Sequence, residues 1–362
     1  MFHIGLGVRV SKAVLQNVSP IPEIDSLLNN FRQMVNFCIH IGIKKGISSR
    51  FKLQNEVYHA LRSEYYSHYI LTAVEKASAI LKNYRREKRK NPDTKEPYVM
   101  RPFISIPYIK VDNGVLRVPI KPHEYIQITL NPHVREVLSN PSLKLGSATL
   151  TRTKLSISYS KETEEITPSG QIGVDRNLDN VTIATSLGEV KAYNLSKATE
   201  LKSTYREVKA HLTRNDVRIR RRIFGKYGRK QRNRVSQLIH CVSKDIVEKA
   251  KDHGFGIIME NIKGIRKLYR KGNSQGKDYR ARLNSWSFYE LQRQIEYKAK
   301  WNSLPVIYVD ARGTSVNCST CGCKTYPNGQ RTLYCPNCSI EFDRDVNAAR
   351  NILAKGGLRF SL

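Results

Sequence analysis

Three carboxylates in this chain stand where a folded protein seldom places a charge. Asp175 closes the apolar run Ile172-Gly173-Val174-Asp175, Glu260 closes Gly256-Ile257-Ile258-Met259-Glu260, and Asp345 opens a helical pattern that runs to about Lys355. A buried strand that carries an unpaired ion gives up several kcal/mol, so the acid needs a partner. Two such acids in separate strands, with a third at a helix start, point to a shared metal site. Carboxylate oxygens suit Mg²⁺ or Mn²⁺. Two such ions roughly 4 Å apart can clamp a phosphodiester, one activating water and one stabilising the leaving oxygen. Taken singly, each acid would serve as a salt-bridge partner for one of the many arginines; the three together, in this order, carry the metal reading. Asp343 stands two residues before Asp345 and is expected to be solvated or supporting rather than a ligand.

A second constellation has different chemistry. Cys318-x-x-Cys321 and Cys335-x-x-Cys338 supply four thiolates for a tetrahedral structural zinc, each pair forming a tight knuckle. Cys323 is an alternative to Cys321 as ligand, although the two-residue spacing fits a knuckle better. A closed site of this kind does not catalyse; it stiffens a small loop domain that cannot bury a core alone. Arg331 and Arg344 lie close in sequence to both centres and are candidates to steady phosphate charge, with plain backbone contact or solvent exposure as the alternative.

The chain of 362 residues is long enough for more than one domain, and 62 Lys+Arg against 31 Asp+Glu leave a formal charge of +31. Such an excess repels itself in a compact fold unless an anionic partner offsets it. Nucleic acid is the leading partner, because phosphate neutralisation with counterion release rewards many spread cations. An anionic membrane surface is the rival, but no apolar run approaches the roughly 20 residues that span a bilayer. The N-terminus lacks a secretory pattern. Seven cysteines, four of them in the paired motifs, fit metal binding in a reducing compartment rather than a disulfide framework. Cys38 and Cys241 are expected on apolar helical faces, in the core. The expected location is the cytoplasm of a prokaryote, acting at the nucleoid.

Several elements must position these groups. Residues 2–10 read as a strand. Leu27, Leu28, Phe31, Val35 and Cys38 repeat at helical spacing, as do Val57, Leu61, Tyr65, Tyr69, Val74, Ala77 and Leu81. The second helical stretch ends in a basic run with Arg85, Arg86 and Lys88, read as a patch that grips a phosphate backbone. From Pro97 to Ser160 short β-rich pieces alternate with turns, the texture of a compact β-barrel that the first strand would complete. After the polar stretch 161–170 the order is strand, strand, strand, helix, strand, helix, strand, helix. The helical pair at about 196–253 carries Arg220, Arg221, Arg222, Lys230 and Arg232, a second phosphate-binding candidate. Acids on strand one, strand four and the last helix of that order resemble the RNase H-like, RuvC-type nuclease fold.

The stretches GVDRNLDNVTIAT, IIMENIKGIR, WSFYELQRQIEYKAKWNSLPVIYVD, TSVNCSTCG, CPNC and FDRDVNAARNIL resemble the TnpB (OrfB) family, transposon-encoded RNA-guided nucleases similar to compact type V CRISPR effectors. They cover the C-terminal half densely; the N-terminal half shares only domain texture. The resemblance implies a multidomain chain of mixed α+β and α/β class. It comprises a wedge-like β-barrel (1–20 and 97–165), an inserted helical recognition domain (21–96), a RuvC-like nuclease domain (170–311 and 341–362) and a zinc-binding insert (312–340). It further implies a guide RNA from the transposon end, a short flanking DNA motif, and cleavage of double-stranded target DNA with Asp175, Glu260 and Asp345 as catalytic ligands of Mg²⁺ or Mn²⁺. Arg176-Asn177-Leu178 departs from the small or apolar residue and Gly-Leu usual in the family, and puts a cation near the metals.

Three rivals remain at this stage: a nuclease-inactive RNA-guided repressor, a transposase that transfers strands, and a guide-independent nuclease. Tyr65, Tyr66 and Tyr69 could stack bases, although at least two of them are expected in the core. The charge reading has a direct check. Affinity for nucleic acid should fall linearly with salt on a log–log scale, and a flat dependence in a filter-binding titration would undermine it.

Overall fold

The computed structural model describes residues 8–357, apart from 122, 212–216, 263, 268, 271 and 273. Residues 2–7 of the expected first strand lie outside the described residues. The chain divides into two compact units, Arg9–Glu162 and Thr163–Leu362 with Met1–Val8.

In the first unit, strand β1 (Val8–Asn17) is followed by helices α1 (Pro22–Lys44), α2 (Arg50–Leu61) and α3 (Ser67–Lys90). Pro22 suits the first turn of α1, where its missing N–H goes unused. The apolar face of α1 buries Leu27, Leu28, Phe31, Val35 and Cys38 against Ala73, Val74, Ala77 and Leu81 of α3. The sequence reading ran α2 and α3 together. The chain instead turns between Leu61 and Ser67, with Tyr66 extended at the N-cap of α3. Val57, Leu61, Tyr65 and Tyr69 keep a four-residue spacing straight across that turn, and no Gly or Pro marks it.

The β-rich segment forms β2 (Ile104–Ile106), β3 (Lys110–Asp112), β4 (Val115–Lys121), β5 (Glu124–Thr129), the short helix α4 (Pro132–Leu138), β6 (Lys144–Leu150) and β7 (Lys154–Thr163). They assemble as a four-stranded sheet, β1-β7-β6-β2, and a three-stranded sheet, β3-β4-β5. Gln16 ties the two together. Its amide donates to the Thr129 carbonyl at 3.0 Å and its oxygen accepts the Asn131 N–H at 3.0 Å. Asn131 then caps α4 by accepting from Val134 N at 2.8 Å.

The second unit is built on a five-stranded sheet of order β10-β9-β8-β11-β12. Its strands are β8 (Gly170–Arg176), β9 (Asn180–Thr185), β10 (Val190–Asn194), β11 (Phe255–Glu260) and β12 (Val306–Val309). The first three are antiparallel neighbours, whereas β8-β11 and β11-β12 run parallel. Helices α5 (Ser196–Ala210), α6 (Val217–His253), α7 (Lys277–Asn284) and α8 (Phe288–Trp301) lie between β10 and β12 in sequence. The three-stranded insert of β13 (Tyr326–Pro327), β14 (Thr332–Cys335) and β15 (Ile340–Asp343) follows, and α9 (Arg344–Gly357) ends the described chain.

Strand alternation sorts this sheet into two faces. Ile172, Val174, Ile257 and Met259 join one core with Val235, Ile239, Ile246 and Val247 of α6 and Leu291 and Ile295 of α8. Gly173 and Ile258 face the other way, toward α9, where Ile258 and Val309 pack on Ile352. Only the second half of α6 is buried; its first half carries the arginine-rich stretch in solvent. Cys241 does not reach the core as expected. It is exposed, two residues from both Ile239 and Ser243 and so on the side of the helix opposite the stripe that they and Ile246 present to the sheet, while Cys38 is buried.

Helix α9 approaches β8 closely because Gly173 has no side chain. A Cβ there would stand 2.4 Å from the Ala349 carbonyl oxygen and 2.7 Å from Leu353 N. Gly173→Ala should therefore push α9 off the sheet and destabilise the chain by about 1–3 kcal/mol in a urea melt, the usual scale for overpacking. An unchanged midpoint would show that the helix has room to spare.

Candidate active site and zinc centre

Asp175, Glu260 and Asp345 come together at one end of the sheet. In the parallel β8–β11 ladder Val174 is opposite Met259, so Asp175 and Glu260 are the next residues of neighbouring strands. By alternation both extend from the face that α9 covers, and Asp345 sits in the first turn of that helix. Asp175 and Asp345 are buried, at 5% and 3% exposure. The Asp175 carboxyl is pushed up to about 7, first by burial and then by the Glu260 charge, with a further push from Asp345; a hydrogen bond from Asn177 and the charge of Arg344 oppose the rise. Neither Asp175 nor Glu260 has a salt bridge among the described residues. Clustered carboxylates of this kind are the oxygen donors that a hard divalent cation would take.

Polar side chains fix each acid. Asn177 donates to Asp175 Oδ2 at 2.6 Å, and Asn180 donates to Asp345 Oδ2 at 2.8 Å. The Thr314 hydroxyl donates to Glu260 Oε1. Asn180 leaves its buried amide oxygen without a partner among the described residues, a further hard oxygen beside the carboxylates. Asp343 proves to be the N-cap of α9, accepting from Asp345 N at 2.8 Å and Val346 N at 3.0 Å. It orients the helix that carries Asp345. Sequence reading missed Asn180 and Thr314, since neither residue type has a signature away from its partner. The alternation of β8 does place Asn180, opposite on β9 one residue beyond the Arg176–Val181 pair, within reach once the antiparallel register is known.

The four paired cysteines form a second centre. Cys318 Sγ lies 3.9 Å from Cys338 Sγ and Cys321 Sγ lies 3.5 Å from Cys335 Sγ. All four sulfurs fall within 4.8 Å of one another. Zn–S bonds of about 2.3 Å put tetrahedral sulfurs about 3.8 Å apart, so the cluster is compatible with a structural zinc. The main-chain N–H of Cys323 holds the Cys321 thiol down at about 6, toward the thiolate that a metal needs. Cys323 itself is exposed and outside the group. Among the described residues, no set of three carboxylates is gathered as tightly.

The two centres are joined through α9. Asn347 is buried, accepts the Ser319 N–H at 2.8 Å and donates to the Asn317 carbonyl at 2.7 Å. Asn351, one turn on, donates to the carbonyls of Thr314 and Asn317 at 2.9 and 2.7 Å. The first knuckle is thus bound to the helix that carries Asp345. Arg331, ahead of β14, reaches back to Asp345 Oδ2 at 2.7 Å, and Arg344 Nε stands 3.6 Å from Oδ1. Both guanidinium groups are about half exposed, with side chains at 53% and 45%.

The other candidate cations divide. Arg85 donates to the Gly46 carbonyl and, at 2.9 Å, to Ser48 Oγ, so it anchors the α1–α2 loop. Arg86 and Lys88 are exposed on the last turns of α3. Arg220, Arg221, Arg222, Lys230 and Arg232 are exposed on the first half of α6, with Arg220 over the Phe224 ring at 5.2 Å. Tyr69 is buried, edge-on to Phe31 and bonded to the Pro119 carbonyl, while Tyr65 and Tyr66 are half-buried.

Two family models match the chain. The Cas12f1-like TNB domain matches residues 288–352, and the uncharacterized protein MJ0013 family matches residues 27–129. The TnpB-like protein MJ0751 of Methanocaldococcus jannaschii is 30% identical over 260 residues, which are 68% of this chain and 92% of that protein. This chain belongs to the TnpB family. The TnpB assignment extends to a shared segment of the CRISPR-associated endodeoxyribonuclease Cas12f1 of Sulfoacidibacillus thermotolerans, 38% identical over 116 residues, 31% of this chain and 25% of that protein. The fold agrees with it. The cryo-EM structure of a Cas12f1-sgRNA-target DNA complex aligns at a TM-score of 0.55 and 16% identity, covering 91% of this TnpB chain and 81% of that one.

Among the described residues, no helix is long and apolar enough to cross a membrane. The TNB-type insert has a simple test. Cys335 is fully buried, and Cys335→Ser should lose bound zinc and loosen the insert. One zinc per chain still present by native mass spectrometry would rule out Cys335 as a ligand.

Proposed function

We propose that this protein is an RNA-guided DNA endonuclease encoded by a transposon, cutting target DNA beside a short flanking motif. The observation that carries the reading is the meeting of Asp175, Glu260 and Asp345 on one face of the sheet, in a chain of the TnpB family. On this reading the five-stranded sheet with α6, α8 and α9 is an RNase H-like, RuvC-type domain (170–311 and 341–362) and 312–340 is its zinc insert. The two sheets of the first unit are a wedge-like barrel, and α1–α3 are the recognition helices. Relatives named endodeoxyribonucleases, and a similar fold solved with single-guide RNA and target DNA, support it.

Asp175, Glu260 and Asp345 would hold Mg²⁺ or Mn²⁺, which supplies activation of water and stabilisation of the leaving oxygen. The chain's own side chains do the rest. Asn177, Asn180 and Thr314 hold the carboxylates in place, so that little rearrangement is left for the reaction. Arg331 and Arg344, exposed beside Asp345, are placed to meet a phosphate. The cations on the first half of α6, with Arg86 and Lys88, hold the backbones of a guide RNA from the transposon end and of its heteroduplex. Base pairing then supplies most of the specificity. A single site cuts two strands in turn, so staggered ends are expected. The protein would act at the prokaryotic nucleoid.

Asp175→Ala, Glu260→Ala and Asp345→Ala should each abolish Mg²⁺-dependent cleavage, while RNA that copurifies with the protein stays bound. Full cutting by any of the three would remove that residue from the site. Bound RNA without cleavage by the unaltered chain would mean a repressor, and a covalent donor–target junction would mean a transposase.

A further inference from the structure

Arg176 follows the first acid of the site, and its side chain takes the opposite face of the sheet. It is 3% exposed, packed on the side of α6 and α8. A buried guanidinium is costly unless its charge and its donors are met. Two of its three nitrogens are met in a specific way. One terminal nitrogen donates to the main-chain carbonyl of Glu260 and the other to Gln292 Oε1 of α8 at 3.0 Å, while Nε has no partner among the described residues. The β8–β11 ladder ends at Val174 and Met259. The Glu260 carbonyl, just beyond that last pair, is held by a side chain rather than by the neighbouring strand.

The charge of Arg176 is met at longer range. No carboxylate forms a salt bridge with it among the described residues. The anionic groups around it are Glu260 and Asp175, reached through the sheet, and Glu296 on α8. Glu296 itself accepts from Gln292 Nε2 at 3.3 Å and from the Tyr308 hydroxyl. Gln292 therefore stands between the arginine and an acid of the same helix, and the chain of contacts runs from α8 through Arg176 to Glu260.

We propose that Arg176 is a positioning residue of the acidic site: it clamps the main chain of Glu260 to α8 from behind the sheet and supplies the fixed positive charge against which the clustered carboxylates are held. The proposal rests on the reading of Asp175, Glu260 and Asp345 as an ion site. It differs from a plain core arginine in one respect, since it ties the guanidinium to ion affinity as well as to folding. Lysine keeps the charge but not the planar fork that reaches Glu260 and Gln292 together. Gln292→Ala removes the link to α8 and leaves the charge in place.

The test uses the zinc-loaded full chain, free of nucleic acid, titrated with Mn²⁺ and followed by electron paramagnetic resonance. Asp175→Ala serves as the blank for the acidic site. Arg176→Met should weaken the Asp175-dependent Mn²⁺ binding roughly ten- to hundredfold, the usual effect of losing a partner behind a metal ligand. Arg176→Lys and Gln292→Ala should each fall in between. The Met/Ala double variant should be no weaker than Arg176→Met alone, as expected of groups that act in series. In cleavage assays kcat should fall with the KM for DNA unchanged. Unchanged Mn²⁺ affinity in a folded Arg176→Met overturns the proposal, and Gln292→Ala decides in the same way if the arginine variant does not fold. Wild-type binding no stronger than that of Asp175→Ala is a separate outcome, which removes the ion site itself and the proposed function with it.

Discussion

Mutual repulsion among carboxylates that share a buried corner is the constraint on which the second unit depends. Asp175 is held up at about 7 because water has been taken from it and Glu260 stands beside it. Left alone, such a site would neutralise itself by taking up protons. The surroundings give Asp175 and Glu260 no lysine or arginine partner among the described residues; Asp345 alone is met, by Arg331 at 2.7 Å. They supply amides and a hydroxyl that orient the oxygens, and they keep the cations either behind the sheet or on half-exposed side chains beside Asp345. On the function proposed above, a divalent cation would offset the repulsion that these carboxylates share.

Geometry at that corner is inherited from packing farther down the sheet. Gly173 lets α9 lie against β8, and Gly356 does the same near its end, where a Cβ would collide with Ile258. These two contacts set the height of the helix, Asp343 caps its first turn, and Asp345 follows from them. The final Gly-Gly, which reads as a helix stop, is still helical in the structure, and Gly356 serves close packing there.

Much of this was legible in the residues. The alternation of apolar strands around Asp175 and Glu260, and the paired cysteines, are short-range patterns, and the structure brings the four sulfurs to zinc-compatible distances. What escaped depends on contacts distant in sequence. Asn180 and Thr314 act 165 and 54 residues from the acids that they touch, and nothing in their own neighbourhoods marks them. The turn between α2 and α3 was hidden by a four-residue spacing that runs through it. Cys241 looked like a core residue because it lies between Ile239 and Val242, yet it is two residues from the buried Ile239 and Ser243, a rotation of about 200° that brings it to solvent. Arg176 was noticed as a cation beside the acids; that it lies on the reverse face follows only from the pleat.

The double grip of Asn347 and Asn351 on the first knuckle makes the four-cysteine cluster and the helix that carries Asp345 a single mechanical block. Any disturbance of the sulfurs, such as oxidation, is thereby passed toward Asp345 across two amide side chains. On the function proposed above, a cell short of zinc would assemble a protein whose scissors are blunt while the grip on RNA assigned to its basic helices persists.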